Sequence, residues 1–397
     1  MKVAARESER RELQELFVEL CRIESPSGSE SACAERIAQE LRALGLEVEQ
    51  DDAGVAAGAD CGNLLARFTG AQGGSAGEPL LLCAHMDTVP LSAAVEPVLT
   101  EGAIQNGNEA ILGADNKAAV AVILALVRRA VREAWPVDLE LLFTVSEERA
   151  LAGARAFDQS RLRSRHGYVF DHATPIGDVI VASPTLFSVR ASFHGAAAHA
   201  GMHPEQGRNA IVAAARAIAA MRHGRLDDET TANVGEIHGG TAMNVVAERC
   251  TLVAEARSLD PEKAEALAAE MVDHIHDAAN LSDVDVDVDV GVQRLFSGYR
   301  VAASNAAVQA AERALEACGF QPRRIDSGGA SDANVFQNRG LNVVNVANGT
   351  ERAHEPTERV SVAALEGMLD VVLTLVAAGR GDEGPSSEIG APSEARV

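Results

Sequence analysis

The chain has 397 residues, with 35 Lys and Arg against 58 Asp and Glu, and therefore a formal net charge of -23. Its length suffices for two or three domains, and its 47% apolar and 23% charged residues are typical of a globular protein. Because phosphate backbones and anionic membranes are bound by clustered Lys and Arg, the acidic surplus argues against nucleic-acid and membrane-surface partners. An aromatic content of 3% also argues against a stacking platform for single-stranded nucleic acid.

Other bulk features predict a cytoplasmic protein. No apolar stretch approaches the roughly 18 residues of a membrane span. The N-terminus has the pattern of a charged amphipathic helix and lacks the apolar core of a signal peptide. The six cysteines include no CxxC pair, which favours reduced, buried thiols over a zinc ribbon or a disulfide framework.

Helices and strands alternate in the first part of the chain. In chain order, the patterns predict helices over 7–21 and 30–44, strands over 46–50, 63–68 and 80–85, a glycine-rich turn at 70–77, a helix over 116–132 and a strand over 139–145. Ser29 is the candidate N-cap of the second helix. Strands alternating with helices of this length predict an α/β domain.

A different order of elements begins near Pro184. The patterns predict a strand over 186–193, a helix over 209–221, strands over 231–237 and 245–257, a helix over 261–279 and a strand over 284–291. This is the β-α-β-β-α-β order of a ferredoxin-like unit. The run DVDVDVDV within 283–290 has the acidic content of a calcium site, but its period of two favours a half-exposed strand with Val inward and Asp outward.

The α/β pattern resumes after Leu295. A helix over 305–318, a turn at 327–329, a strand over 341–346 and a helix over 360–378 are predicted. The predicted organisation is thus an α/β catalytic domain formed by residues 1–183 and 297–379, interrupted by an inserted ferredoxin-like domain over 184–296. Residues 380–397 are rich in Gly, Pro and Ser and are predicted to be disordered.

Residues able to bind metal concentrate in five short segments, several of which directly follow a predicted buried strand. They are CAHMDT with His85 and Asp87, LGADNKAAV with Asp115, TVSEER with Glu147 and Glu148, VFDH with Asp171, and AHEPTE with His354. Each segment alone also has a purely structural interpretation, such as a polar strand end, a helix N-cap, a solvated helix start or a turn. In open α/β sheets, however, the carboxyl ends of the strands meet at one crevice, where ligands bind. Together the segments favour a two-metal hydrolytic site with imidazole and carboxylate ligands.

The same segments, in this order and spacing, resemble the dizinc aminopeptidase, carboxypeptidase and aminoacylase metallopeptidase superfamily. In the inserted domain, FHGAAAHAG, TAMNVV and AEARS are most similar to the peptidase T-like branch. The resemblance extends over the chain to about residue 379. It implies a three-layer zinc-peptidase-like catalytic domain and an inserted domain that acts as lid and dimer interface.

The resemblance also implies a role for each candidate residue of the catalytic domain. Asp115 bridges two zinc ions, one of which His85 and Asp171 also bind, whereas Glu148 and His354 bind the other. Asp87 orients His85, and Glu147 is the general base on a metal-bridging water. In this family the peptide bond between Asp115 and Asn116 is cis. Mn²⁺ and Co²⁺ are possible substitutes for zinc.

Five further residues receive substrate-related roles from the resemblance. His199 is similar to the histidine that reaches the partner subunit's site and stabilises the oxyanion, although its pattern alone indicates an exposed loop residue. Asn244 and Arg257 correspond to residues that hold the substrate carboxylate, although Arg257 alone resembles a surface charge on a strand. Gly328 and Gly329 belong to a loop, SGGASDAN, that lines the substrate pocket and departs from the RGGTDG of tripeptide aminopeptidases.

The functional expectation is a cytoplasmic, homodimeric, two-zinc peptidase acting on tripeptides or dipeptides in the manner of an aminopeptidase. One alternative is a deacylase or carboxypeptidase of the same superfamily that acts on N-acyl amino acids or dipeptide-like substrates. A catalytically inactive, peptide-binding homologue is a third possibility, which the complete set of proposed ligands disfavours.

Overall fold

The computed structural model describes residues 2–71 and 78–378. Most of the predicted turn at 70–77, and the whole of the predicted disordered tail at 380–397, lie outside the described residues. Among the helices that are described, none is both long enough and apolar enough to cross a membrane.

Helices account for much of the catalytic domain and cover one face of the inserted domain. In the described part of the chain the α-helices are α1 (Glu7–Arg22), α2 (Ser31–Ala43), α3 (Ala53–Ala57), α4 (Ala114–Arg132), α5 (Ala152–Ala156), α6 (Ala210–Ala220), α7 (Pro261–Ala279), α8 (Ala306–Ala317), α9 (Asp332–Asn338) and α10 (Val362–Ala378). Two short 3-10 helices lie at Gln159–Arg161 and Pro204–Gln206.

The strands form three separate sheets. In chain order they are β1 (Glu47–Gln50), β2 (Leu64–Phe68), β3 (Leu80–His85), β4 (Pro97–Thr100), β5 (Ala103–Asn106), β6 (Leu139–Thr144), β7 (His166–Val169), β8 (Asp178–Ser183), β9 (Thr185–His194), β10 (Gly224–Arg225), β11 (Thr230–Gly239), β12 (Arg249–Ser258), β13 (Asp287–Phe296), β14 (Tyr299–Arg300), β15 (Arg323–Asp326), β16 (Asn342–Val346), β17 (Thr350–Glu351) and β18 (Arg359–Ser361).

The largest sheet is the centre of the catalytic domain. Its strand order is β1-β2-β6-β3-β7-β16-β8-β14, and β15 also pairs with β8. The middle strands β6, β3, β7 and β16 are parallel to one another. Strands β3 and β6 are apolar runs buried on both faces, as expected for parallel strands covered by helices. Their carboxyl ends therefore lie together at one edge.

Helices cover both faces of this sheet and make a three-layer α/β domain. Helix α4 is buried on nearly all sides, because its sequence is apolar all round, and it packs between the sheet and helices α1 and α10. Helices α5 and α9 pack on the opposite face, where Phe157 and Phe336 meet edge to face. The expected fold class, a mixed α/β catalytic domain with an inserted domain, is confirmed.

The inserted domain is a five-stranded antiparallel sheet in the order β10-β11-β12-β9-β13. Helices α6 and α7 pack on one face through apolar side chains that alternate along the strands. The predicted β-α-β-β-α-β order is present, with the two-residue strand β10 as an addition that sequence patterns did not predict.

The acidic run at 283–290 is only partly a strand. Strand β13 begins at Asp287, whereas Asp285 has a positive φ of 43° and follows a turn. The predicted start at 284 is therefore wrong by three residues. The expected alternation is nevertheless present, since the valines of this run are buried or half-buried and its aspartates are exposed.

Sequence patterns missed a small antiparallel sheet with the order β17-β18-β5-β4. Strands β4 and β5 are joined by Glu101 and Gly102, which have positive φ values of 53° and 80°. Two such residues suit a tight hairpin turn, but Glu is not among the residues that mark one in a sequence. This sheet positions the segment that carries His354 and Glu358 over the end of the main sheet.

Candidate metal centre

Three parallel strands bring metal-binding side chains to one edge of the main sheet. Strand β3 ends at His85, β6 runs into Glu147 and Glu148, and β7 runs into Asp171. Because these strands are adjacent and parallel, the side chains that follow them meet in one cleft. The cleft has a volume of about 240 Å³ and is also lined by Asp115.

Asp115 lies between two groups of potential ligands. Its Oδ1 is 3.5 Å from His85 Nε2, and the same imidazole nitrogen is 3.4 Å from Asp171 Oδ1. On the other side, Asp115 Oδ2 is 3.8 Å from His354 Nε2, which is 2.8 Å from Glu148 Oε1. One carboxylate thus faces two imidazole and carboxylate pairs through different oxygens. The peptide bond between Asp115 and Asn116 is cis, as expected.

The donor set fits two divalent cations. His85, Asp115 and Asp171 form one cluster of ligand atoms, and Asp115, Glu148 and His354 form another, each with atoms within 4.8 Å of one another. Asp115 Oδ1 is buried and has no hydrogen-bond partner among the described residues. A buried carboxylate oxygen without a partner is costly unless a cation offsets it. Imidazole and carboxylate ligands suit zinc, and manganese or cobalt as well.

The pKa shifts of the cleft residues also favour a site for divalent cations. Burial raises the pKa of Glu147 well above its usual range, and the charge of Asp171 adds to the effect. Burial likewise raises the pKa of Asp171 to about 7. Burial lowers the pKa of His85, but the nearby carboxylates outweigh it and raise that pKa well above its usual value. Burial thus favours the protonated forms of Glu147 and Asp171, and bound cations would favour their charged forms.

Asp87 connects the His85 strand to the loop that carries the two glutamates. The Nδ1 atom of His85 is 3.3 Å from Asp87 Oδ1 and 3.0 Å from its carbonyl oxygen. The Asp87 carboxylate also accepts hydrogen bonds from the backbone N–H groups of Glu147 and Glu148, at 2.9 and 3.2 Å. Ser27 donates a further bond of 2.6 Å. Asp87 therefore fixes an imidazole and two carboxylates together.

Glu30 is a buried residue of this site that sequence patterns did not reveal. Its Oε1 accepts hydrogen bonds from Ser146 N at 3.0 Å, Ser146 Oγ at 3.1 Å and Gly28 N at 3.0 Å. Ser146 has a positive φ of 49° and directly precedes Glu147. Glu30 therefore holds the backbone turn that directs Glu147 into the cleft. A glutamate at a predicted helix start carries no sequence signal for this role.

Glu358 is the second buried residue that was missed. Its carboxylate accepts hydrogen bonds from the backbone N–H groups of Leu112 and Gly113, both at 2.7 Å, and of Asp115 at 3.0 Å. The segment HEPTE was recognised for its histidine, but its last residue holds the loop that carries Asp115. The sequence separation of 243 positions between Glu358 and Asp115 explains why sequence patterns do not pair them.

Five further residues line the cleft, and of these Ala330 was expected there as part of the SGGASDAN loop, whereas the other four were not predicted. The five residues are His172, Ala173, Thr174, Ala330 and Ala353. Ala330 belongs to the same loop as Gly328 and Gly329. A Cβ atom on Gly328 would meet no described atom within 4 Å, and on Gly329 only Ser327 Oγ at 3.8 Å. Both glycines therefore border open space.

The three candidates of the inserted domain do not line this cleft in the same chain. His199 and Asn244 are exposed and lie on adjoining loops, where Ala200 N donates to Asn244 O at 2.9 Å. Arg257 is half-buried and forms a two-bond ion pair with Glu255, at 3.0 and 2.9 Å. It lies on the face of β12 that points away from α6 and α7, since its neighbours Ala256 and Ser258 are buried.

Comparisons with known proteins follow the same division of the chain. Residues 63–197 match peptidase family M28, and residues 181–282 match the peptidase dimerisation domain. The uncharacterized protein YqjE of Bacillus subtilis (strain 168) is 35% identical over 370 residues, which are 93% of this chain and 98% of the relative.

Two solved structures are similar over almost the whole chain. Aminopeptidase PepT from Bacillus cereus ATCC 10987 is 35% identical, with a TM-score of 0.79, over 92% of this chain and 98% of that chain. A tripeptidase from Staphylococcus aureus subsp. aureus Mu50 is 32% identical, with a TM-score of 0.84, over 93% of this chain and 98% of that chain.

Proposed function

Because the chain belongs to the peptidase T-like branch of the aminopeptidase, carboxypeptidase and aminoacylase metallopeptidase superfamily, we propose that it is a two-zinc aminopeptidase of short peptides. One observation supports this more than any other. The two oxygens of Asp115 face separate ligand clusters, which is the arrangement that a bridging carboxylate between two metal ions requires.

In this proposal one cluster of side chains would hold each zinc ion. His85 and Asp171 would hold the first ion, Glu148 and His354 the second, and Asp115 would be shared by both. When bound, the ions supply Lewis acidity that polarises an amide carbonyl and acidifies water. The protein's own contribution is the fixed position of these side chains, which comes from strand ends and from the hydrogen bonds of Asp87 and Glu358.

Glu147 is the proposed general base. Its carboxylate lines the cleft beside Asp171 and Glu148, and its backbone N–H is held by Asp87 at 2.9 Å. A carboxylate so placed accepts a proton from the attacking water at one of its Oε atoms. It then donates that proton to the nitrogen of the leaving group as the amide bond breaks. Burial raises the pKa of Glu147, which makes its carboxylate a stronger base for the first step.

Substrate recognition is assigned to the inserted domain and to the glycine-rich loop. We propose that Asn244 and Arg257 hold the substrate carboxylate, for which Arg257 must exchange its partner Glu255 for the substrate. Gly328 and Gly329 border the pocket through their backbone. The proposed active form is a homodimer that pairs through the inserted domain, in which His199 acts in the partner's site.

A substrate screen tests the peptidase assignment. We expect the zinc-loaded protein to hydrolyse dipeptides and tripeptides and to lose activity when the N-terminal amine is acetylated. Liquid chromatography of the products measures both rates. Amidation of the C-terminus is tested separately and should also lower the rate, because it removes the carboxylate that Asn244 and Arg257 are proposed to hold. Faster hydrolysis of N-acyl amino acids than of free peptides would instead establish a deacylase. Complete inactivity towards every substrate in the zinc-, manganese- and cobalt-loaded forms would support an inactive homologue.

Subunit mixing tests the role of His199 in the partner's site. We expect His199→Ala and Glu147→Gln proteins to be nearly inactive alone. After subunit exchange the mixture should recover about a quarter of the wild-type rate, because half of the dimers are mixed and each holds one complete site. Mixing Glu147→Gln with Glu147→Ala is the control and should recover nothing. If mixed dimers form, as native mass spectrometry can show, but no activity returns, His199 does not act across the interface.

A further inference from the structure

The chain crosses between the two domains twice, and the two crossings are paired. Strand β8 leads out through Pro184 into β9, and β13 returns through Gly298 into β14. Tyr299 pairs with Ser183 on the catalytic side, and Phe296 pairs with Leu186 on the inserted side. The connection is thus an antiparallel two-stranded ribbon, which is defined here as the hinge ribbon (residues 183–186 and 296–299).

The two strands of the hinge ribbon lie very close together at Gly298. Gly298 N donates a hydrogen bond of 2.8 Å to Thr185 Oγ1. A Cβ atom on Gly298 would lie 2.5 Å from the carbonyl oxygen of Ser183, which is too close for any other residue without a shift of the backbone. The ribbon by itself is narrow, so its orientation depends on what packs against it.

Helix α9 packs against the hinge ribbon through two asparagines. Asn334 is buried, and its Nδ2 donates to Ser297 O at 3.0 Å and to Pro184 O at 3.4 Å, one carbonyl on each strand. Its Oδ1 accepts from Ser183 Oγ at 2.9 Å. One helical turn later, Asn338 Nδ2 donates to Ser297 O and Gly298 O, both at 3.1 Å. The spacing of four residues places both amides on the same face of the helix.

The first turn of α9 contacts the strands of the metal centre. Asp332 is buried, and its Oδ2 accepts a hydrogen bond of 2.5 Å from Thr144 Oγ1, with Cys83 Sγ at 3.9 Å. Cys83 and Thr144 belong to β3 and β6, the strands that lead to His85 and Glu147. Helix α9 therefore connects the base of the metal centre to the ribbon that carries the inserted domain.

We propose that Asn334, with Asn338 in support, is a positioning residue that fixes the inserted domain in its orientation relative to the metal cleft. Its amide holds both strands of the hinge ribbon at once, and it belongs to a helix that is anchored to the metal-centre strands. The orientation of a domain can be measured without turnover. Only the expected change in kcat/KM therefore rests on the proposed function, whereas the expected change in domain orientation does not.

The test compares Asn334→Asp and Asn338→Ala with Gln337→Ala. Asn334→Asp replaces the donating amide by an oxygen that faces the carbonyls of Ser297 and Pro184. Asn338→Ala is the milder change, at an exposed position where the protein should fold even if Asn334→Asp does not. Gln337 is the matched control on the same helix, since its amide contacts Val343 O within the catalytic domain instead of the ribbon.

Hydrogen exchange and small-angle X-ray scattering give the readouts. We expect peptides that cover the hinge ribbon to exchange about five- to tenfold faster in both asparagine variants, as loss of one or two hydrogen bonds implies. The scattering profile should show a wider spread of domain orientations, and kcat/KM should fall while zinc content stays at the wild-type value. Exchange and scattering equal to those of Gln337→Ala would overturn the proposal. So would a loss of thermal stability with unchanged exchange in the ribbon, because a merely structural role predicts that result.

Discussion

Glu147→Gln is expected to retain both zinc ions and to lose peptide hydrolysis by about 10²- to 10⁴-fold, the usual contribution of a general base. The amide of Gln fills the same space but cannot accept a proton from water. Asp87 still holds the backbone at this position, since its bond is to the N–H of residue 147 and not to the side chain. The loss should therefore fall on kcat, with little change in KM or in metal content.

Steady-state kinetics and elemental analysis of the same preparation measure the two effects separately. Glu148→Gln is the matched control, because the neighbouring carboxylate is assigned to a metal ion and its loss should lower zinc content. Full activity of Glu147→Gln would remove it as the base. Loss of zinc in Glu147→Gln would instead show that Glu147 is a metal ligand. The structure offers this alternative, because ligand atoms of His85, Glu147 and Glu148 also lie within 4.8 Å of one another.

The convergence of the metal centre could be predicted because it depends on strand direction. Apolar runs such as LLLCA identify parallel strands that are buried on both faces. Once those strands are adjacent, the residues that follow them must meet at one edge. His85 lies at the end of β3, and Glu147 and Asp171 follow β6 and β7, so strand direction brings these three residues together. His354 follows β16 less directly and was assigned by family resemblance, and the small sheet that holds its loop was not predicted.

The supporting residues could not be predicted, since their partners are backbone N–H groups far away in the sequence. Glu30 contacts Ser146, and Glu358 contacts the loop before Asp115, across separations of 116 and 243 residues. No local pattern distinguishes such a carboxylate from a solvated one. The clue is available only in the folded chain, where a fully buried acid accepts several backbone hydrogen bonds.

The acidic surplus of the chain has two different origins in the structure. Many acids are surface residues paired with arginine, such as Glu312 with Arg324 and Asp283 with Arg216. The carboxylates of the cleft are buried together without a nearby Arg or Lys among the residues that line it. A formal charge of -23 counts both kinds alike. Only the second kind supplies candidate ligands for the proposed metal ions, because burial removes the solvent that screens the first kind.

Asp115→Ala is expected to abolish binding of both zinc ions. Among the residues that the structure describes, it is the one whose oxygens face both ligand clusters, so its removal takes a ligand from each site. His354→Ala, by contrast, should lose the second ion more readily than the first, since His354 contacts only one cluster. For Asp115→Ala the loss of affinity should exceed the roughly 10- to 100-fold that follows removal of an outer-shell partner.

Elemental analysis after equilibrium dialysis against zinc measures the stoichiometry, which should be close to two ions per wild-type chain. Thermal unfolding gives an independent readout, because a ligand that binds only the native state raises the unfolding temperature. Zinc should therefore stabilise the wild type and leave Asp115→Ala unchanged. His194→Ala is the control, as its imidazole lies 3.1 Å from Asp289 on the inserted domain and should not affect either measurement. Two tightly held ions in Asp115→Ala, or none in the metal-replete wild type, would contradict the bridged two-metal site from which the proposed hydrolysis follows.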